Sequence, residues 1–255
     1  MRIATWNVNS LKVRLPQVLD WLGEQRPDIL ALQETKMTDE AFPAGVFREM
    51  GYHGLHNGQP TYNGVALLSR EAPLDAVTDP PGLDCAQRRL LAASIHGVRV
   101  VNLYVVNGAE VGSEKYAFKL DWLHRVRDFL EAERERHGHL VVLGDFNIAP
   151  EDRDVHDPEA WHERILCSTP ERQALKQIQE LGLSDVFRRF QQPEGQYSWW
   201  DYRAAAFRRN RGLRIDLILA SEPLAMRCTR AWIDVAPRRL ERPSDHAPVV
   251  AEFDW

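Results

Sequence analysis

Leu140-Val141-Val142-Leu143 runs straight into Gly144-Asp145-Phe146-Asn147. A short apolar run of this kind predicts a buried strand. The acid and the amide that follow are two residues apart, so they reach the same side of a sheet. An apolar run that closes on polar groups marks a candidate site at the rim of a core. Taken singly, an Asp or Asn after a strand is ordinarily a turn residue or a helix cap. The question is therefore whether the pattern recurs.

It recurs at four other places. The first strand ends in Trp6-Asn7-Val8-Asn9. Ile29-Leu30-Ala31-Leu32 ends in Gln33-Glu34-Thr35. Asn102-Leu103-Tyr104-Val105 leads into Val106-Asn107-Gly108. Ser244-Asp245-His246 precedes a last strand, and Asp216 lies inside the apolar run Ile215–Ala220. A carboxylate in such a run is costly to bury unless it is paired or metal-bound, and His246 is the candidate partner. Oxygen donors dominate this set and no cysteine joins it, which points to a hard divalent cation, Mg²⁺ or Mn²⁺, rather than zinc. Mg²⁺ held by few carboxylates completes its shell with water and substrate phosphate, and that chemistry fits hydrolysis of a phosphate ester.

Around these points the pattern predicts strands over Arg2–Val8, Asp28–Leu32, Gly64–Leu68, Leu90–Ile95, Arg99–Val105, Leu140–Leu143, Ile215–Ala220, Ala231–Val235 and Val249–Phe253, with a hairpin turn at His96-Gly97. Three helices stand out. One carries Leu15, Val18, Leu19 and Leu22 on a face bounded by Pro27. A longer one carries Trp122, Val126, Phe129 and Leu130 and ends near Gly138. The third starts at Ser168-Thr169-Pro170-Glu171, a cap followed by Pro and an acid, with Ala174, Leu175, Ile178 and Leu181 as its stripe and Gly182 as its stop. Strands outnumber helices and several follow one another directly, which favours layered sheets over an alternating parallel sheet. No internal repeat or linker is evident. The long irregular stretches, Gly51–Asn63, Thr78–Gln87, Asn107–Ser113, Ala149–Cys167 and Asp201–Gly212, are candidates for function.

Composition sets bounds. The 255 residues carry 32 Lys and Arg against 37 Asp and Glu, a formal net charge of −5. That argues against nucleic-acid binding by bulk charge but allows a local basic groove beside an acidic metal site. From Tyr202 to Ile215 there are five arginines (Arg203, Arg208, Arg209, Arg211, Arg214) and no carboxylate; by itself such a run is a solvated loop. Three scattered cysteines, Cys85, Cys167 and Cys228, fit neither a disulfide framework nor a zinc site, so a reducing, cytoplasmic setting is expected. Neither a signal peptide nor a membrane span is expected from the pattern.

Taken in order, Trp6-Asn7-Val8-Asn9-Ser10-Leu11, Leu32-Gln33-Glu34-Thr35-Lys36, Tyr62-Asn63-Gly64-Val65-Ala66, Gln87-Arg88-Arg89, Gly144-Asp145-Phe146-Asn147, Ser198-Trp199-Trp200-Asp201-Tyr202-Arg203, Asn210-Arg211-Gly212-Leu213-Arg214-Ile215-Asp216 and Pro243-Ser244-Asp245-His246-Ala247-Pro248 make the chain resemble the exonuclease III family of DNA-repair nucleases. The resemblance runs from Met1 to Trp255. It implies one α/β domain over residues 1–255, a four-layered α/β/β/α sandwich of two mixed, largely antiparallel sheets. It implies a metal-dependent phosphodiesterase acting as a monomer on double-stranded DNA at 3′ ends, nicks or abasic sites.

The resemblance also implies roles. Glu34 is the principal Mg²⁺ ligand, with Asn7 close by and Asp245 supporting the metal. Asp145 orients and deprotonates the attacking water, and Asn147 positions it. His246, held by Asp216, donates to a phosphate oxygen. Tyr104 and Asn107 sit against the scissile phosphate, and Tyr104 helps protonate the leaving oxygen. A second ion would draw on Asp145, Asn147 and His246. Trp199 and Trp200 flank the DNA face; strand alternation leads us to expect one in the core and one toward DNA. Arg203, Arg211, Arg88, Arg89, Lys36 and Lys115 are expected phosphate contacts. One departure stands out: Val106 occupies the position before Asn107-Gly108 where the family usually has proline, whose fixed φ would restrain the loop. Two alternatives compete with the nuclease, a catalytically silent nucleic-acid-binding regulator and a phosphoesterase acting on inositol phosphates, lipids or RNA tails. The presence of Glu34, Asp145 and His246 opposes the first. The paired tryptophans and the arginine-rich segment oppose the second.

Overall fold

The computed structural model describes residues 1–255 except Asp79, Pro81, Asp84 and Cys85. Expectations that touch Cys85, and part of those for the stretch 78–87, lie outside the described residues. In chain order the elements are β1 (Arg2–Asn7), α1 (Leu11–Gln25), β2 (Ile29–Gln33), α2 (Ala44–Glu49), β3 (His53–Asn57), β4 (Val65–Ser69), β5 (Leu74–Val77), β6 (Leu90–Ile95), β7 (Val98–Tyr104), α3 (Glu114–Arg136), β8 (Leu140–Asp145), α4 (Pro158–Trp161), α5 (Thr169–Gln179), β9 (Leu183–Asp185), β10 (Asp216–Ser221), α6 (Glu222–Ala225), β11 (Cys228–Ile233) and β12 (Val249–Phe253).

The strands form two six-stranded sheets, β11-β12-β1-β2-β4-β3 and β5-β6-β7-β8-β10-β9. Both orders describe one topology. Each sheet has a single parallel pair at its centre, β1 with β2 and β7 with β8, and every other pairing is antiparallel. A helix makes each parallel crossover, α1 in one sheet and α3 in the other, as parallel neighbours require. The chain thus repeats a six-strand pattern that no sequence repeat announces, because the repetition lies in hydrogen-bond order rather than in residue identity.

The alternation of side chains along these strands explains the four layers. One face of each sheet supplies the central core, where Ile3, Ile29, Ala31, Leu67 and Val249 meet Leu91, Val100, Val141, Leu143 and Ile218. The opposite face of the first sheet, with Ala4, Trp6, Leu30, Leu32 and Val250, is covered by Leu11, Val18, Trp21 and Leu22 of α1 and Phe47 of α2. The opposite face of the second, with Val101, Leu103, Val142, Leu217 and Leu219, is covered by Trp122, Val126 and Leu130 of α3 and Ala174, Leu175 and Ile178 of α5. The helix start read at Ser168 is present as a capping box with Glu171. A few polar groups cross the central core: Gln33 Nε2 donates to Asn102 Oδ1 at 2.7 Å, and Asn102 Nδ2 donates to the carbonyls of Leu32 and Ala66. Such buried bonds fix the register of one sheet against the other.

The arrangement determines where the polar ends fall. In the two central pairs Asn7 lies opposite Gln33 and Tyr104 opposite Asp145, while β10 places Asp216 opposite Asp145. The C-terminal ends of both parallel pairs therefore open on one edge of the sandwich. Gly144 makes the close approach of β7 possible. Its φ is +142°, and a Cβ there would lie 1.9 Å from the Leu103 carbonyl oxygen.

Candidate active site

Glu34 and Asp145 come from different sheets, and Asn7 joins them. Its amide Nδ2 donates to Glu34 Oε1 and to Asp145 Oδ2, each at 2.9 Å. Glu34 leaves β2 in the left-handed region, at φ +53°, a conformation that costs a residue with a Cβ roughly 1–2 kcal/mol. The surrounding backbone holds it there: its carbonyl accepts from Ser10 N at 2.7 Å, and the amides of Thr35 and Lys36 donate to the carbonyls of Gly64 and Asn63. Asn147 is also left-handed, at φ +49°. Its backbone N donates to Asp145 Oδ1 at 2.9 Å and its side chain to the Val105 carbonyl at 3.0 Å. Asn107 Nδ2 donates in turn to Asn147 Oδ1 at 3.2 Å.

His246 completes the group. Its Nδ1 lies 2.8 Å from Asp216 Oδ2 and its Nε2 lies 3.8 Å from Asp145 Oδ2. Asp216 is held by backbone as well, since Ser198 Oγ accepts from the amides of Ile215 and Asp216. On the other side, Ser244 Oγ accepts from His246 N and donates to the Asn7 carbonyl. The loop of His246 is thereby tied to the end of β1.

The electrostatics follow from burial. Desolvation, Asp216 and Glu34 push Asp145 up to about 7, against the pull of His246 and the Asn7 hydrogen bond. His246 is pushed up to about 10: burial lowers it, but Asp216 and Asp145 outweigh that. Tyr104 is raised well above an ordinary phenol by burial and by Glu34, so it keeps its proton.

Ligand atoms of Glu34, Asp145 and His246 lie within 4.8 Å of one another. The donor set fits a hard cation. Two carboxylates converge on a single N–H donor group, and Asp216 Oδ1 is buried without a hydrogen-bond partner. Both features mark a place where positive charge is favoured. Asn7 and Asn147 turn N–H groups toward these acids, and so stand as bridges inside the cluster. Asp245 stands beside it, with Oδ1 accepting from Asn9 Nδ2 and Oδ2 from Trp199 Nε1, both at 3.0 Å. These donors hold its pKa below the usual carboxylate value despite its burial, with His246 the largest lowering influence.

The model of the endonuclease/exonuclease/phosphatase family matches residues 4–246. The chain belongs to this family. It is 36% identical over 266 residues to an exodeoxyribonuclease III from Haemophilus influenzae, covering 99% of this chain and 100% of that protein. Among solved structures, a 3′ phosphatase from Neisseria bound to a product DNA hairpin is similar at 51% identity and a TM-score of 0.98, with both chains covered in full. An AP endonuclease from Archaeoglobus fulgidus is similar at 42% identity and a TM-score of 0.96, also over both full chains.

Within this endonuclease/exonuclease/phosphatase fold, the surface expectations divide. Trp200 is core, 2% exposed, with Nε1 on Asn210 Oδ1 and its ring edge-on to Phe207; it leaves the set of DNA contacts. Trp199 is the half-buried member of the pair, as alternation requires. Arg89 is also corrected. It is buried, with its guanidinium 4.5 Å from the Tyr104 ring centroid and a bond to the Tyr104 carbonyl, so it supports Tyr104 rather than facing solvent. Lys36 turns inward, 2.9 Å from Glu34 Oε2 and 2.5 Å from Asn9 Oδ1. Arg88 is half-buried, while Arg203, Arg211 and Lys115 are exposed. Arg214 is no part of the basic surface; it is buried between Asp154 and Asp185.

Sequence reasoning passed over Asn9, which links Lys36 to Asp245, and Lys119, which is fully buried. A signal for the second was present. Lys119 falls on the buried stripe Tyr116, Lys119, Leu123, Val126, Leu130 of α3, where a charged residue is out of place unless paired.

Proposed function

We propose that this chain is a metal-dependent DNA-repair phosphodiesterase of the exodeoxyribonuclease III type. It hydrolyses phosphodiester bonds of double-stranded DNA at 3′ ends, nicks or abasic sites. The reading is carried by one observation: Glu34, Asp145 and His246 converge from both sheets, with Asp216 behind the histidine. The names and full-length similarity of the relatives supply the substrate class.

Glu34 and Asp145 would hold Mg²⁺, with Mn²⁺ as a substitute. When bound, the ion supplies charge stabilisation for the phosphoryl oxygens. The chain's own groups account for the proton movements. Asp145, oriented by the Asn7 amide and the Asn147 backbone N–H, accepts a proton from the attacking water. Asn147 orients that water. His246 donates a hydrogen bond from Nε2 to a phosphate oxygen, with Asp216 fixing the proton on Nδ1. The water oxygen attacks phosphorus in line, the sugar–oxygen bond to phosphorus breaks, and the leaving oxygen takes a proton, for which Tyr104 is the candidate donor. Asn107 faces the same phosphate.

All of these groups come from one chain between Asn7 and His246, which supports a single domain acting as a monomer. Cys167 and Cys228 are free, in keeping with a cytoplasmic setting, and no helix among the described residues is long and apolar enough to cross a membrane. The loops 149–167 and 201–212 flank the site and set the balance between end trimming and abasic-site cleavage.

The test offers two labelled duplexes, one with a recessed 3′ end and one with an internal abasic-site analogue, with Mg²⁺ and with chelator. Metal-dependent cleavage of at least one is expected. Cleavage that survives chelation would remove the metal from the mechanism, and cleavage of neither would remove the nuclease reading.

A further inference from the structure

Lys119 lies on the inner stripe of α3 and is completely buried, as is Glu171 on α5. The two form an ion pair. The ammonium also donates to the Asn147 carbonyl at 2.7 Å and the Asn107 carbonyl at 3.1 Å. All three of its hydrogens therefore have acceptors. Glu171 is equally satisfied. Its Oε1 also accepts from Leu166 N, and its Oε2 accepts from the N and Oγ of Ser168. No part of this pair reaches the acids of the site directly.

What the ammonium joins is specific. Asn147 and Asn107 sit on different loops, after β8 and after β7, and their side chains already touch at 3.2 Å. Lys119 ties their backbones at the same point. The Asn107 loop lacks the ring restraint of a proline at Val106, and it carries Gly108 at φ +92°. A Cβ at Gly108 would meet Ile165 Cδ1 at 2.8 Å and Lys119 Cδ at 3.1 Å, so the loop is also packed against the stem of the lysine. A loop held by a buried cation at its carbonyl is restrained without a covalent ring.

We propose that Lys119, charged and held by Glu171, is a positioning residue that fixes Asn107 relative to Asn147 and so sets the geometry of phosphate against attacking water. This rests on the reading of the site as a phosphodiesterase centre. Removing the ammonium leaves both carbonyls unheld while the acids stay in place, so binding of DNA persists and turnover falls.

The double variant Lys119→Met/Glu171→Gln tests it, because it removes both charges together and avoids the buried unpaired carboxylate that Lys119→Met alone would leave. Thermal unfolding close to wild type, kcat lower by about 10- to 100-fold, and KM for duplex DNA within about threefold are expected. A purely structural pair predicts the opposite, that kcat returns along with stability. A folded double variant with kcat within twofold of wild type would overturn the proposal. Glu171→Gln alone keeps the ammonium and its bonds to Asn107 and Asn147. Its kcat is expected to lie between those of wild type and the double variant, and a loss exceeding the double variant's would overturn the assignment to Lys119. The wild-type rate in the same assay separates the two levels of failure. If wild type cleaves no duplex, the reading of the site falls and this proposal with it. If wild type cleaves and the variants match it, only this proposal falls.

Discussion

His246 and Asp216 meet at 2.8 Å through Nδ1 and Oδ2, and the opposite edge of the same imidazole faces Asp145. A histidine held this way presents one defined N–H to the site. Asp216→Asn keeps the shape but removes the charge that holds His246 up to about 10. The imidazole then loses its proton at lower pH, because the folded-state pKa falls toward the ordinary value. We expect kcat to fall by roughly 100-fold, within the range typical of proton-transfer groups. We also expect the alkaline limb of the pH–rate profile to move toward neutrality. A profile superimposable on wild type after scaling would refute this role for Asp216.

Asp145 gives a prediction of opposite sign. Its folded pKa, about 7, is raised above the ordinary 3.8 by burial, Asp216 and Glu34. The stability linked to its proton is thus fully present below the unfolded pKa and is lost as pH rises through 7. In metal-free protein Asp145→Asn should therefore raise the unfolding temperature at pH 8 and change it little at pH 4. The full shift corresponds to an upper limit of about 4 kcal/mol at 1.36 kcal/mol per pKa unit; loss of the His246 attraction reduces this to roughly 1–2 kcal/mol. Added Mg²⁺ should stabilise wild type and not the variant. Differential scanning calorimetry at the two pH values checks both statements, and a variant less stable than wild type at pH 8 would contradict them.

The strands that escaped the sequence share one physical trait. β3, β5 and β9 were not expected, and all three are edge strands. His53-Gly54-Leu55-His56-Asn57 has no apolar alternation, and Leu74 of β5 is 65% exposed. An edge strand is held mainly by hydrogen bonds on one side, so it leaves little trace in hydropathy. Central strands such as β6 and β12 were legible to the residue because both of their faces are buried. The site was legible as separate ends of apolar runs. That these ends meet depends on the duplicated strand order, which no single segment encodes. Arg214 misled for a related reason: it belongs to a basic run in sequence and to a buried ion pair in space.

Gly144→Ala tests the close approach of the two central strands. A methyl group there would collide with the Leu103 carbonyl, and the backbone angle is one that alanine resists. Relief would have to separate β8 from β7, moving Asp145 away from Tyr104. A loss of more than about 3 kcal/mol in stability is expected, in line with a steric clash combined with strain at a special backbone conformation. Urea unfolding measures it, and a loss under about 1 kcal/mol would show that β8 tolerates the shift.

The tryptophan pair separates packing from recognition. Trp200→Ala opens a cavity in the central core and should cost about 3–5 kcal/mol. Trp199→Ala exposes little but removes a donor from Asp245. We expect it to leave stability within about 1.5 kcal/mol of wild type and to weaken DNA binding. Equal destabilisation by the two substitutions would place both side chains in the core.

The arginine-rich loop permits a test that needs no structure of a complex. Ala204 and Ala205 are both left-handed, at φ +54° and +51°, so the chain between Asp201 and Gly212 turns sharply and carries Arg203, Arg208, Arg209 and Arg211 outward as exposed side chains. Arg214 points inward to Asp154 and Asp185. If the exposed arginines neutralise DNA phosphates, removing one such arginine reduces the dependence of log affinity on log salt by about one. Arg203→Ala/Arg211→Ala is then expected to lower the salt slope by about 1–2, to raise KM several-fold and to leave kcat and stability nearly unchanged. Arg214→Ala should behave in the opposite way: it strands the carboxylate of Asp185 and leaves Asp154 with Arg188 alone, costs about 3–5 kcal/mol, and leaves the salt slope of whatever protein remains folded at the wild-type value. Fluorescence anisotropy of a labelled duplex from low to high salt measures all of this. A double variant whose salt slope equals that of wild type would turn this loop away from DNA, and with it the proposed approach of the substrate to the acids at the ends of β2 and β8.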